Sequence, residues 1–238
     1  VKVQVEANQL PEFSWQTFAL VEKAATPVES APIVSEGGRK LANAHLEAVI
    51  TENGSLTITD KATQKTYRNL LVFEDVGDIA NEYIFKQPEG DQAILSIQFP
   101  HHVTIEQNDP LVGIVRLTQE LQIPVSADDR LLEEQKAVVD FRFRKAQRSQ
   151  ELVAFKIETE IRLERTSNRL AFKTTVNNQS KDHRLRVLFP TGIITDFHEA
   201  DSIYEVVKRP NQVSSHWENP TNPQHQHAFV NLHDETSG

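Results

Sequence analysis

ELVAFKIETEIRLER, residues 151–165, sets Val153, Phe155, Ile157, Thr159, Ile161 and Leu163 two apart in one unbroken row. Residues two apart face away from each other in a helix but share a face in a strand. The segment is therefore predicted as one long strand, buried on that side and wet on the other. The alternation returns in RLAFKTTVN (169–177) and VVDFRFR (138–144), and Leu111–Ile123 carries apolar residues at 115, 117, 121 and 123. Arg184–Phe189 reads as another strand, stopped by Pro190 and Gly192. Strands of this length predict a large extended antiparallel sheet rather than the shorter strands of an immunoglobulin-like domain.

Toward the N-terminus, Leu46–Ile50 and Ser55–Thr59 flank Glu52-Asn53-Gly54, and Asn-Gly is the strongest short hairpin signal. Thr66–Phe73, Ala93–Phe99 and Val103–Gln107 follow as strands, and residues 124–136 as a loop holding a short helical turn. Beyond Gly192, Ile203–Val207 and Ala228–Leu232 are predicted strands, separated by a long loop (210–227) rich in Pro, Asn, Gln and His. Val1–Val5 and Phe13–Leu20 read as two early strands, the latter placing Trp15 in a core. Pro27, Pro32 and Gly37-Gly38 mark residues 24–38 as a linker. The expectation is an all-β protein of two large antiparallel sheets packed face to face. Residues 1–23 would end a preceding small β domain, 24–38 would link, and 39–238 would form the large sandwich.

Composition narrows the function. A formal charge of -9 over 238 residues, with no long Lys/Arg run, argues against nucleic-acid binding. The chain has no cysteine, which excludes a disulfide scaffold and a thiolate metal site and fits a reducing compartment, the cytoplasm. No stretch approaches a membrane span or a signal-peptide core. It has no methionine, and HDETSG at the C-terminus carries no domain-ending pattern, so an internal segment of something longer is expected.

No phosphate loop, serine elbow or HExxH motif is present. His225 and His227, two apart, could share a strand face and ligate a metal with His216 or His233 nearby; ordinary loop histidines are the plainer account. LLVFEDVGDIANEYIF (70–85) is predicted as an apolar run, Leu70–Phe73, opening into an acidic loop with Glu74, Asp75, Asp78 and Glu82. Such acids can serve as a glycosidase carboxylate pair, or simply face water between strands. Tyr83, where the loop returns to apolar sequence, offers a phenol to sugar hydroxyls, or ordinary rim packing. Arg184 and Arg186 share a face and can bind a carboxylate or phosphate, or pair with neighbouring acids.

Taken together, LPEFSWQTFAL (10–20), LANAHLEAVITENGSLTITDKATQKTYRNLLVFEDVGDIANEYIF (41–85), HRLRVLFPTG (183–192), ADSIYEVVKRP (200–210) and HAFVNLHDETSG (227–238) resemble the C-terminal β region of glycoside hydrolase family 38. These are the zinc-dependent retaining α-mannosidases, and the likeness is to their bacterial branch. The most specific elements are D-K-A-T-x-K from Asp60 and E-D-x-G-D-x-x-x-E-Y from Glu74 to Tyr83. Ser14-Trp15 stands where many relatives have Gly-Tyr.

The resemblance implies a galactose mutarotase-like supersandwich, cut before it is finished, in a multidomain enzyme. Zinc and the aspartate nucleophile would lie upstream in a catalytic domain followed by a helical bundle. This chain alone would hold no cofactor, no metal and no catalytic residue, and would be inactive. It would support the catalytic domain and complete the pocket for an α-mannoside, with Tyr83 and, through a looser match, Arg209 as substrate-binding residues. Nucleic acid and membrane are not expected partners, and a homodimer of the full enzyme stays open. Two alternatives stand beside this one. A carbohydrate-binding module would need more exposed Trp and Tyr, and a mutarotase-like enzyme would need an acid–base pair such as His183 with Glu160.

Overall fold

The computed structural model describes residues 14–15, 17–19, 31–212 and 224–234. The predicted strand Val1–Val5, the first part of the linker and His216 lie outside the described residues, as do Phe13, Gln16 and Leu20; the described residues between Phe13 and Leu20 are not in a strand, contrary to the expectation. Trp15 was expected in a core, yet it is 86% exposed.

Strands β1 (Val34–Ser35), β2 (Lys40–Ala42), β3 (Leu46–Ile50), β4 (Leu56–Asp60) and β5 (Thr66–Leu70) form an antiparallel sheet in that order. The expected hairpin joins β3 to β4. Asn53 Oδ1 accepts from the Ser55 amide at 3.0 Å and the Thr51 hydroxyl at 2.7 Å, while Gly54 takes a φ of 80°. A Cβ on Gly54 would come within 3.1 Å of His101 and Gln119 in the facing sheet, so a glycine suits both the turn and the close approach. Ile33 and Val34, inside the stretch read as linker, are buried in the core, and β1 pairs with β2. Residues 33–38 therefore belong to the sandwich, because two adjacent prolines-and-glycines signals hide a short apolar strand between them.

The second sheet runs β11 (Leu170–Val176), β10 (Leu152–Glu164), β9 (Val112–Pro124), β8 (His101–Asn108). β9 and β10 stay in register from Val112↔Glu164 to Pro124↔Leu152. Val115, Leu117, Leu121 and Ile123 of β9 join Phe155, Ile157, Ile161 and Leu163 of β10 against Leu41, Ala48, Ile50 and Leu56 of the first sheet. Full burial of each large side chain contributes about 1.5–3 kcal/mol. Thr159 sits in this dry row with its hydroxyl bonded to that of Thr174 across the ladder, 3.0 Å away. The architecture is an all-β sandwich.

Two three-stranded sheets complete it: β12 (His183–Leu188), β6 (Val72–Gly77), β7 (Ile94–Leu95), and β14 (Glu205–Pro210), β13 (Phe197–Ser202), β15 (Val230–Asn231). One α-helix, α1 (Asp129–Lys136), occupies the loop where a helical turn was expected. Among the described residues no helix is long and apolar enough to cross a membrane.

Three further segments differ from expectation. VVDFRFR (138–144) is not a strand: Phe141–Phe143 form a 3-10 turn, Asp140 Oδ1 accepts the Arg142 amide at 2.9 Å, and Val138 and Phe143 are 87% and 68% exposed. Alternation there lacks a partner strand, and Val138 has a φ of 53°. Ile203–Val207 is likewise not one strand, because Ile203-Tyr204 turn β13 into β14, with Tyr204 at φ 61°. Ala93–Phe99 shortens to β7, followed by a 3-10 turn at Ser96–Gln98.

Candidate functional site

The apolar run at Leu70 does not open directly into an acidic loop. Leu71, at φ 58°, ends β5, and the chain re-enters a sheet as β6, so Glu74 and Asp75 are strand residues. Pleating sends them to opposite faces. Glu74 meets Arg186 of β12, with Arg186 Nε donating at 2.9 Å. Asp75 is fully buried, and its carboxylate is held between Arg148 and the Nδ1 of His183. His183 Nε2 reaches Asn178 Oδ1 at 3.1 Å, and Asp91 Oδ2 accepts the Gly77 amide at 2.8 Å. A Cβ at Gly77 would lie 2.8 Å from Arg148 Cγ, so the strand ends on a residue that leaves room for the aliphatic stem of Arg148.

Residues 78–86 then leave the sheet as a braced loop. Asp78 Oδ1 accepts from the Ala80 and Lys86 amides at 3.0 and 3.1 Å, and Asn81 Oδ1 from those of Tyr83 and Ile84 at 2.9 and 3.0 Å. Short polar side chains that satisfy amides two or three residues on are what fold Asn and Asp into turns. From outside, Arg144 Nη1 donates to the Ile79 carbonyl at 2.9 Å and to that of Ala80. Lys86 Nζ donates to the Arg142 and Arg144 carbonyls at 2.7 and 3.2 Å. Burial, and then the nearby Lys145 charge, hold the Lys86 ammonium below its ordinary range.

Tyr83 crowns this loop, 88% exposed, its phenol without a partner among the described residues. Beside it, Asp78, Asn81, Glu82, Asp182, His183 and Gln135 help line a cavity of about 310 Å³. The arrangement can present hydrogen-bonding groups to a polyhydroxylated ligand from a loop whose own backbone is already satisfied.

The other candidates have partners of their own. Arg209 stands on β14, in a different sheet, and donates to the His225 carbonyl; no hydrogen bond or ion pair joins it to the Tyr83 loop among the described residues. His225 and His227 do meet, Nε2 to Nε2 at 3.4 Å, but among the described residues no group of three or more His, Asp or Glu could hold a metal ion. Glu160 lies 4.0 Å from Arg116 on the β9–β10 ladder, and His183 takes Asp75 as its acid, so the imagined His183–Glu160 pair is not assembled. Arg144, Arg148, Asn178 and Lys86 escaped notice, because each sits in a loop or strand end with no periodic signal and acts across a long sequence separation.

Residues 41–238 match the family model described as the glycosyl hydrolases family 38 C-terminal domain. The chain is 38% identical over 212 residues to a Halalkalibacterium halodurans protein named "Putative mannosylglycerate hydrolase", an alignment covering 89% of this chain and 24% of that one. Among solved structures, an alpha-mannosidase from Enterococcus faecalis V583 superposes with a TM-score of 0.83 at 54% identity, over 87% of this chain and 23% of that one. A family 38 glycosyl hydrolase from Enterococcus faecalis does so with the same TM-score at 50% identity, over 90% and 25%. The chain thus spans about a quarter of the length of these relatives. With this fold and these matches, the chain belongs to glycosyl hydrolase family 38, of which it carries the C-terminal β-sandwich domain.

Proposed function

We propose that this sandwich is the non-catalytic part of a zinc-dependent retaining α-mannosidase, and that it completes the substrate pocket through Tyr83. The observation that carries this reading is the unpartnered, exposed phenol on a loop whose every turn is tied down. A donor carried on a backbone that needs little further ordering is what a sugar-binding contact needs. The 54% identity to an alpha-mannosidase supports the substrate class, an α-mannoside. The relative named as a mannosylglycerate hydrolase extends that class to mannosides of a small hydroxy acid.

The described residues do not fit zinc, so no step is assigned to a metal held by them. In this reading zinc and the nucleophile belong to the catalytic domain of the same polypeptide, where zinc would supply a grip on the sugar hydroxyls. Residues 1–23 would close a preceding β domain, Arg209 would approach the same pocket from β14, and the enzyme would work in the cytoplasm.

Tyr83→Phe in the full-length enzyme tests the reading. Losing one hydrogen bond of about 0.5–1.5 kcal/mol lowers kcat/KM for an aryl α-mannoside up to roughly tenfold. The urea unfolding midpoint should not move. Unchanged kinetics would return Tyr83 to rim packing.

A further inference from the structure

Arginines gather on β6 and the Tyr83 loop that follows it, and four of them are engaged. Arg186 is paired with Glu74, Arg148 with Asp75, Arg142 with Asp140, and Arg144 with the carbonyls of Ile79 and Ala80. Arg184 has neither a hydrogen bond nor an ion pair among the described residues. Its Nε is shut off from solvent without an acceptor, and a buried donor left unsatisfied is unfavourable. The terminal amino groups, equally without a protein acceptor, are not closed off in this way. The guanidinium lies 3.3 Å from the centre of the Phe85 ring, which fixes its plane.

The acids that feel this charge cannot satisfy it. Asp78 is occupied by two loop amides and Glu74 by Arg186. Burial, and then the Arg186 charge, weigh against the charged form of Arg184, and Asp78 and Glu74 offset this only in part. A positively charged group that is oriented, partly desolvated and unpaired is an anion site waiting for its anion. Its shelf, Phe85, is two residues beyond Tyr83, at the root of the same loop.

We infer that Arg184 on its Phe85 shelf binds the carboxylate of an acidic aglycon, so that one loop presents Tyr83 to the sugar and Arg184 to the group the sugar is attached to. This rests on the α-mannosidase reading and deepens it. A planar carboxylate can meet the two terminal amino groups end-on, whereas a neutral hydroxyl would leave the charge uncompensated.

The test compares α-mannosyl-glycerate with α-mannosyl-glycerol, its uncharged counterpart, as substrates of the full-length enzyme. The wild type should prefer the glycerate. Arg184→Gln should lower kcat/KM for the glycerate at least tenfold, chiefly through KM, and change the glycerol compound less than twofold. Arg184→Lys, which keeps the charge, should retain part of the preference and carries the test if the Gln variant fails to fold. Free D-glycerate should inhibit aryl α-mannoside hydrolysis by the wild type and not by Arg184→Gln. Equal losses on both substrates, or no wild-type preference, would overturn the assignment and leave the mannosidase reading intact. Failure of the wild type to hydrolyse either mannoside would overturn that reading and the inference with it.

Discussion

The β9–β10 ladder and the β6–β12 pair share antiparallel geometry and are held together by opposite means. Along β9 and β10, successive inward residues are aliphatic or aromatic and almost wholly dry, with Thr159 and Gln119 as the buried polar residues in that row. Between β6 and β12, what meets is Asp75 with His183, Arg148 behind them, and Glu74 with Arg186. Hydrophobic packing is non-directional and tolerates small shifts, while a buried charge network fixes side chains to within a hydrogen bond. The second region is the one that launches the Tyr83 loop. In this domain one ladder supplies bulk apolar burial and the other adds positional accuracy.

That contrast can be broken from both sides. Asp75→Ala should have the largest effect, a loss of about 3–5 kcal/mol, because it leaves the buried His183 without its acid and Arg148 with only the 3.9 Å contact to Asp91. Phe155→Ala in the ladder should cost a similar or slightly smaller amount, about 3–5 kcal/mol, from lost burial and a cavity. The two differ in activity. Where both full-length variants remain folded, the aryl α-mannoside kcat/KM should fall for Asp75→Ala and stay near wild type for Phe155→Ala. Urea titration and kinetics at one temperature check both, and equal kinetic losses would dissolve the distinction. Arg144→Ala comes next: it frees the Ile79 and Ala80 carbonyls at the edge of the loop. The expected result is a several-fold drop in kcat/KM with little change in the unfolding midpoint. Its loss should be smaller than additive with Tyr83→Phe, since both act through one phenol.

The same contrast explains what the sequence made legible. Period-2 alternation reports a face buried by many equivalent contacts, so Glu151–Arg165 and Leu111–Ile123 were read nearly to their ends. The Asn53-Gly54 turn was legible for a local reason, a left-handed glycine behind a side-chain acceptor. The charge network was not, because His183 and Asp75 are 108 positions apart and no pattern announces their pairing. VVDFRFR misled because alternation without a neighbouring strand buries nothing. Tyr83 does lie on a loop, but Glu74 and Asp75 were misplaced, since the left-handed Leu71 lets the chain restart a strand where the acids suggested a loop.

The smallest effect sharpens the turn that replaced the misread strand. The Asp140 carboxyl is lowered to about 2, first by hydrogen bonds from the Arg142 side chain and then by the Arg142 amide. The folded value lies below the ordinary 3.8, so this cap should be fully present above about pH 4 and lost as the pH falls toward 2. A carboxyl carbon resonance for Asp140 that titrates near 2 in the wild type, and moves up toward its ordinary value in Arg142→Ala, would show the pairing. The effect on global stability should be hard to detect, because the pair is exposed to solvent and screened by it. If Asp140 instead titrated in the ordinary range in both proteins, the turn at 140–143 would owe its shape to the backbone alone. The braces on the Tyr83 loop would then start from Arg144 and Lys86 without help from the preceding residues.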